Sequence, residues 1–190
     1  MRADPPVNQV ARWVSILLHP FAVFAVLALV AASVLDPASL PRVAMGIAVA
    51  VGVVWVFVVQ RKRSGRWGTV DASNRHERPV LYLLVLAVAV GYWLWIGPDS
   101  VVAKGVLAVV AMLCIAGIAN RWIKLSLHMT SLAFATIAFA GISVAAAVVA
   151  LSLLPLLAWS RLRMARHTVP EVIGGTMLGL VAGASLHWLF

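Results

Sequence analysis

Charge is the first scarcity in this chain. Only 11% of its 190 residues are Asp, Glu, Lys or Arg, less than half the roughly 25% typical of a soluble globular domain. That excludes a water-facing surface wrapped around a single core. Acidic residues are scarcer still, six against 15 Lys and Arg. No clustered Asp pattern suited to Mg²⁺ or Ca²⁺ is present, Asp71 and Glu77 being the nearest approach, so no metal or other cofactor is expected. A single cysteine, Cys114, permits no internal disulfide and sits in an apolar run as a small packing residue. Internal repeats, low-complexity tracts and soluble appendages are lacking, which leaves one membrane domain over 1–190.

What is abundant is apolar sequence, 63% of residues with a mean hydropathy of +1.02. A helix rising about 1.5 Å per residue needs roughly 20 residues to cross a hydrocarbon core of about 30 Å. Runs of that order occupy 13–35, 43–59, 80–97, 101–119 and 172–190. The first is too long, and too weakly followed by small residues, for a cleaved signal peptide. The stretch from Met129 to Trp159 is long for one span and short for two. Gly141, Ile142 and Ser143 near its middle can turn a hairpin of two arms of roughly 15 residues, about 22 Å each. The expected fold is an all-α polytopic membrane bundle of six or seven crossings. Five remains the alternative, if Met129–Trp159 is one tilted helix plus an interfacial segment.

With seven crossings, 13 of the 15 Lys and Arg fall on one side, in the N-terminus, 60–79, 120–128 and 160–171. The positive-inside rule accounts for Arg61, Lys62, Arg63 and Arg66 and would put that face in the cytoplasm. Basic side chains facing lipid also bind phosphate headgroups, and Arg78, Lys124, Arg161 and Arg166 stand beside helix ends and histidines. Three polar stretches alternate with the spans: "DASNRHERP" (71–79), "NRWIKLSLH" (120–128) and "SRLRMARHTVPE" (160–171). Gathered at one mouth of a bundle, they would bring together Arg78, Lys124, Ser126, His128, Arg161, His167 and Glu171. Arginine grips phosphate oxygens with two N–H groups, lysine adds a point charge, and two histidines can divide attack and protonation.

These residues resemble the type 2 phosphatidic acid phosphatase family, relatives of bacterial acid phosphatases and vanadium haloperoxidases. Its third motif runs Ser-Arg, five residues, His, three residues, Asp. Here Ser160-Arg161 is followed at the same spacings by His167 and Glu171. Its second, Pro-Ser-Gly-His, keeps Ser126 and His128 in "LSLH". Its first, Lys, six residues, Arg-Pro, keeps Arg78-Pro79. Asp71 stands where the family has lysine, a position that Lys124 or Arg75 would have to cover. Leu125 replaces the proline, Leu127 the glycine, and Glu171 the aspartate.

The resemblance implies His167 as a nucleophile forming a phosphohistidine, Glu171 orienting its ring, and His128 protonating the leaving oxygen. Arg78, Arg161 and Ser126 would bind phosphate, with Lys124 and Arg75 in support. The substrate would be a lipid phosphate (phosphatidate, phosphatidylglycerophosphate or a polyprenyl phosphate or diphosphate) in a bacterial or archaeal cell membrane, hydrolysed without metal. A lipid phosphotransferase, a non-enzymatic lipid-phosphate binder or transporter, and more distantly a bis-His haem protein use the same residues. Nucleic acid is not an expected partner.

Plainer roles compete at each position. Thr168-Val-Pro-Glu171 is also a capping box opening the last helix, and capping and ring orientation compete for one carboxylate. His19, before Pro20 in an apolar run, reads as a hydrogen-bonded bundle residue at a kink. His76 and His187 read as loop and interfacial residues, and Asn74 as solvated. Trp13, Trp93, Trp95, Trp122, Trp159 and Trp188 form an aromatic belt. Gly175, Gly179 and Gly183 make overlapping small-xxx-small spacings for helix packing.

Overall fold

Pro20 decides how the first apolar run folds. Proline lacks an N–H and disfavours helical dihedrals in the residue before it, so a helix stops at that residue and a new one starts at the proline. The computed structural model, which describes residues 6–66 and 78–189, has α1 at Pro6–Leu17 and α2 at Pro20–Leu35. The run is therefore broken at Leu18–His19 rather than kinked. A 3-10 turn at Pro37–Ser39 leads into α3 (Leu40–Arg63), followed by α4 (Arg78–Ile96), α5 (Ala103–Ala119), α6 (Leu127–Ala140), α7 (Val144–Arg163) and α8 (Val169–Leu189). No strand occurs among the described residues. The fold is an all-α membrane helix bundle.

The hairpin inside Met129–Trp159 forms with its turn at Gly141–Ser143, where Ser143 Oγ accepts the Ala146 N–H at 3.3 Å and caps α7. The arms are unequal. α6 has 14 residues and α7 has 20, because α7 runs on past Trp159 and ends on Arg161 and Arg163, whose charges suit a helix C-terminus. By length and composition five helical stretches can cross a membrane, Gln9–Leu35, Pro37–Arg63, Pro79–Ile96, Val144–Arg163 and Val169–Leu186. α5 and α6 are shorter.

The chain divides into two compact units, Met1–Leu27 with Ile123–Phe190, and Ala28–Trp122. In the second, α3 packs on α4 and α4 on α5. Gly46 of α3 lies under the Tyr92 and Trp95 rings of α4, and Trp95 Nε1 donates to the Arg42 carbonyl at 3.3 Å. In the first, α6 is the central element, packed by α7 and α8, with α1 against α7. Every residue from His128 to Thr136 is buried, the polar His128, Thr130, Ser131 and Thr136 included, as befits a helix enclosed by its neighbours.

Glycines set how closely α8 approaches α6. A Cβ at Gly175 would lie 2.6 Å from the Ser126 carbonyl oxygen, and one at Gly183 would lie 3.0 Å from that of Phe134. One at Gly179 would run into the Thr130 carbonyl. The contacts climb together along both helices, so α6 and α8 run parallel and begin at the same end of the unit. This is the small-residue packing the 175–179–183 spacing predicts.

Candidate phosphate site

The start of α8 makes the carboxylate half of a capping box. The Val172 N–H bonds the Thr168 carbonyl at 3.1 Å, and Glu171 reaches back so that its Oε2 accepts the Thr168 N–H, also at 3.1 Å. The same oxygen lies 3.0 Å from Nδ1 of His167. Capping and ring orientation, read from sequence as rivals, are thus made together. A carboxylate oxygen has two lone pairs, and the two donors come from adjacent residues. With Nδ1–H directed at Glu171, the basic nitrogen of the neutral His167 ring is Nε2.

The start of α6 meets this turn directly. The Ser126 N–H donates to the Glu171 carbonyl at 3.1 Å, while the Ser126 carbonyl accepts both the N–H (2.9 Å) and the hydroxyl (3.0 Å) of Thr130. Ser126 occupies the N-cap position of α6 with extended backbone, where a serine normally caps with its side chain. Its side chain makes no such bond. The hydroxyl is fully buried and has no hydrogen-bond partner among the described residues. Two helix N-termini, each with N–H groups that lack an intrahelical acceptor, therefore face the same place.

Arg161 approaches from the last turn of α7. It is buried, and its Nη1 donates to Ser15 Oγ on α1 at 2.6 Å. Ser15 Oγ in turn lies 3.4 Å from Nε2 of His128. The His19 ring, at the break between α1 and α2, meets the His128 ring edge-on with centroids 5.2 Å apart. Arg161, His19 and His167 all lie within electrostatic range of His128. Lys124 Nζ donates to the Arg166 carbonyl at 2.8 Å, tying the segment before α6 to the loop between α7 and α8.

That loop is held by a tight turn. Arg166 N–H bonds the Arg161 carbonyl at 3.1 Å and Ala165 N–H bonds that of Leu162 at 3.0 Å. This Schellman ending needs a left-handed residue, and Ala165 supplies it at φ 52°.

An apolar cleft of about 260 Å³ is lined by residues of α6, α7 and α8. Met129, next in sequence to His128, and Val172, next to Glu171, line it together with Pro155 and Met177.

Six of the eight residues singled out by sequence thus belong to one unit and one end of it: His167, Glu171, His128, Arg161, Ser126 and Lys124. Arg75, like Asp71, lies outside the described residues. Arg78 is the first residue of α4, in the other unit, and its side chain also lies outside what is described. Ser15 was missed, and His19 was read only as a bundle residue. The available signal was two polar side chains one turn apart inside an apolar run, which membrane helices rarely carry without a partner. Glu171 is the only acidic residue between 123 and 190, so the cluster is electropositive and suited to an anion. No family model, curated protein or solved structure matches the chain.

Proposed function

We propose that the chain is an integral membrane lipid-phosphate phosphatase, acting without metal through a phosphohistidine on His167. One observation carries the reading: Glu171 holds His167 Nδ1 at 3.0 Å, in a unit that also brings Arg161, His128 and the unpartnered Ser126 hydroxyl to the starts of α6 and α8. A ring fixed through one nitrogen presents the other as a nucleophile, as in a catalytic triad.

In the first step His167 Nε2 attacks phosphorus, the N–P bond forms and the P–O bond to the lipid breaks. His128 supplies a proton to the departing oxygen. Arg161, the Ser126 hydroxyl and the two helix N-termini stabilise charge on the equatorial oxygens. Water then attacks phosphorus, His128 takes its proton, and His167 leaves with its lone pair restored. The apolar cleft lined by α6, α7 and α8 gives a lipid tail a place beside its headgroup. Phosphatidate, phosphatidylglycerophosphate and polyprenyl phosphates or diphosphates share this chemistry. The positive-inside bias of the loops favours a site on the cytoplasmic face.

The test is phosphate release from a panel of these lipids in detergent with EDTA, for wild type and His167→Ala, with vanadate as inhibitor. Release that survives EDTA, fails in His167→Ala and is blocked by vanadate supports the reading. Vanadate mimics a pentacoordinate state that only a catalyst binds tightly. A folded wild type that releases no phosphate from any lipid overturns it.

A further inference from the structure

The Ser160-Arg161 dipeptide grips α1 at two points one turn apart. Ser160 Oγ donates to the Ala11 carbonyl at 2.6 Å, and Arg161 Nη1 donates to Ser15 Oγ at 2.6 Å. This geometry determines what the Ser15 hydroxyl can do. A serine inside a helix often turns its hydroxyl back onto the carbonyl four residues earlier. For Ser15 that carbonyl belongs to Ala11, which already receives the helical N–H bond and the Ser160 hydroxyl, and a carbonyl oxygen has two lone pairs. The Ser15 hydroxyl oxygen lies 3.4 Å from Nε2 of His128.

We propose that Ser15 is a positioning residue of the phosphate site, engaging Nε2 of His128 and so assigning Nδ1 as the nitrogen that exchanges protons during turnover. The inference rests on the phosphatase reading above. Arg161 can only donate, so it occupies one lone pair of Ser15 Oγ. The oxygen keeps one hydrogen and one further lone pair. It donates to a bare Nε2 and accepts from Nε2–H, and therefore holds the ring in either protonation state. His128 must pass through both states. When the lipid oxygen leaves, the His128 Nδ1–H bond breaks and an O–H bond forms on that oxygen. When water attacks the phosphohistidine, its proton goes to Nδ1 as the O–P bond forms and the N–P bond breaks. The same hydroxyl fixes Arg161 through Nη1, so the ring and the phosphate clamp are held by one atom on α1. None of the three motif stretches contains it.

Two measurements on the full-length protein in detergent test this. The first is lipid-phosphate hydrolysis by wild type, Ser15→Ala and Ser15→Thr, with thermal unfolding of the same preparations. Ser15→Ala is expected to lower kcat about 10- to 100-fold in a protein that still unfolds cooperatively, with a lower midpoint because Arg161 loses a buried partner, and Ser15→Thr, which keeps a hydroxyl, to recover most of the activity. Wild-type kcat in Ser15→Ala overturns the proposal, and so does equal impairment of folded Ser15→Thr. The second is ¹⁵N–¹H correlation of ring-labelled histidine, with the His128 signals assigned by their loss in His128→Gln. Ser15→Ala should shift the Nε2 signal and mix the tautomers, whereas identical His128 signals in wild type and Ser15→Ala overturn the proposal. This measurement needs no turnover. A wild type without phosphatase activity would sink the function while the ring spectra still decide the role of Ser15.

Discussion

The two units are built from the same kind of apolar helix and use their interiors in opposite ways. Of the ten buried polar or charged side chains among the described residues, Ser15, Ser126, His128, Thr130, Ser131, Thr136, Ser160, Arg161 and His167 lie in the unit formed by the chain ends, and only Asn120 in the other. In hydrocarbon a buried polar group is tolerated where it is bonded or serves a purpose. The α3–α5 unit buries few such groups, Asn120 and the polar ends of Tyr82, Tyr92 and Trp93, and packs aromatic rings over glycine. The α1–α6–α7–α8 unit collects most of them at one end and uses glycine to bring two backbones close. One unit has the character of a span and the other that of a site set in a span.

The largest expected effect breaks this comparison most directly. His167→Ala should reduce phosphate release by about 10⁴-fold or more, since it removes the nucleophile, whereas Lys104→Ala, in the other unit, should leave it unchanged. Loss of activity in Lys104→Ala would mean the chemistry is not confined as proposed. Arg78 sharpens the same point, being the one candidate phosphate ligand among the described residues of the α3–α5 unit. Arg78→Ala should leave kcat close to wild type, and a fall of about 10²-fold, the effect of removing one donor to a developing anion, would mean that the clamp is not confined to the end unit.

Smaller effects concern stability, read as unfolding in detergent. Gly179→Ala places a Cβ against the Thr130 carbonyl and within 2.8 Å of the Ala133 Cβ, a backbone clash that should cost about 1–3 kcal/mol. Gly91→Ala in α4 meets nothing within 4 Å and should be neutral or stabilising by up to about 1 kcal/mol. The smallest pair compares two like turns. α3 ends as α7 does, with Arg66 N–H bonded to the Arg61 carbonyl at 3.1 Å, but with Gly65 at φ 68° in the left-handed position. Gly65→Ala should cost about 1 kcal/mol and Ala165→Gly should gain about the same. Equal and opposite shifts would show that backbone conformation alone governs both ends.

Much of the fold was legible because hydrocarbon imposes a length and glycine marks turns. The apolar runs became helices, and the hairpin turned at Gly141–Ser143. Both polar stretches of the end unit came to the same place because two antiparallel helices separate them. Three features were not legible. The run at 13–35 hid a full break, since a proline in an apolar segment is compatible with either a kink or a restart. Ser15 joined the site because α1 lies against α7, and spacing along one chain does not say which helices become neighbours. Glu171 was read as serving one role or the other, yet its oxygen serves two donors whose placement only the folded turn fixes.

If the cluster binds phosphate as proposed, alanine scanning will account for only part of its hold on the anion. The starts of α6 and α8 stand side by side, joined by the Ser126 N–H and the Glu171 carbonyl. Each carries roughly half a positive charge from its own peptide groups. No side-chain truncation removes that contribution, no change of pH neutralises it, and among natural substitutions only proline deletes an N–H. A variant stripped of every basic side chain at this mouth should therefore still retain a measurable residue of phosphate affinity, written into the main chain.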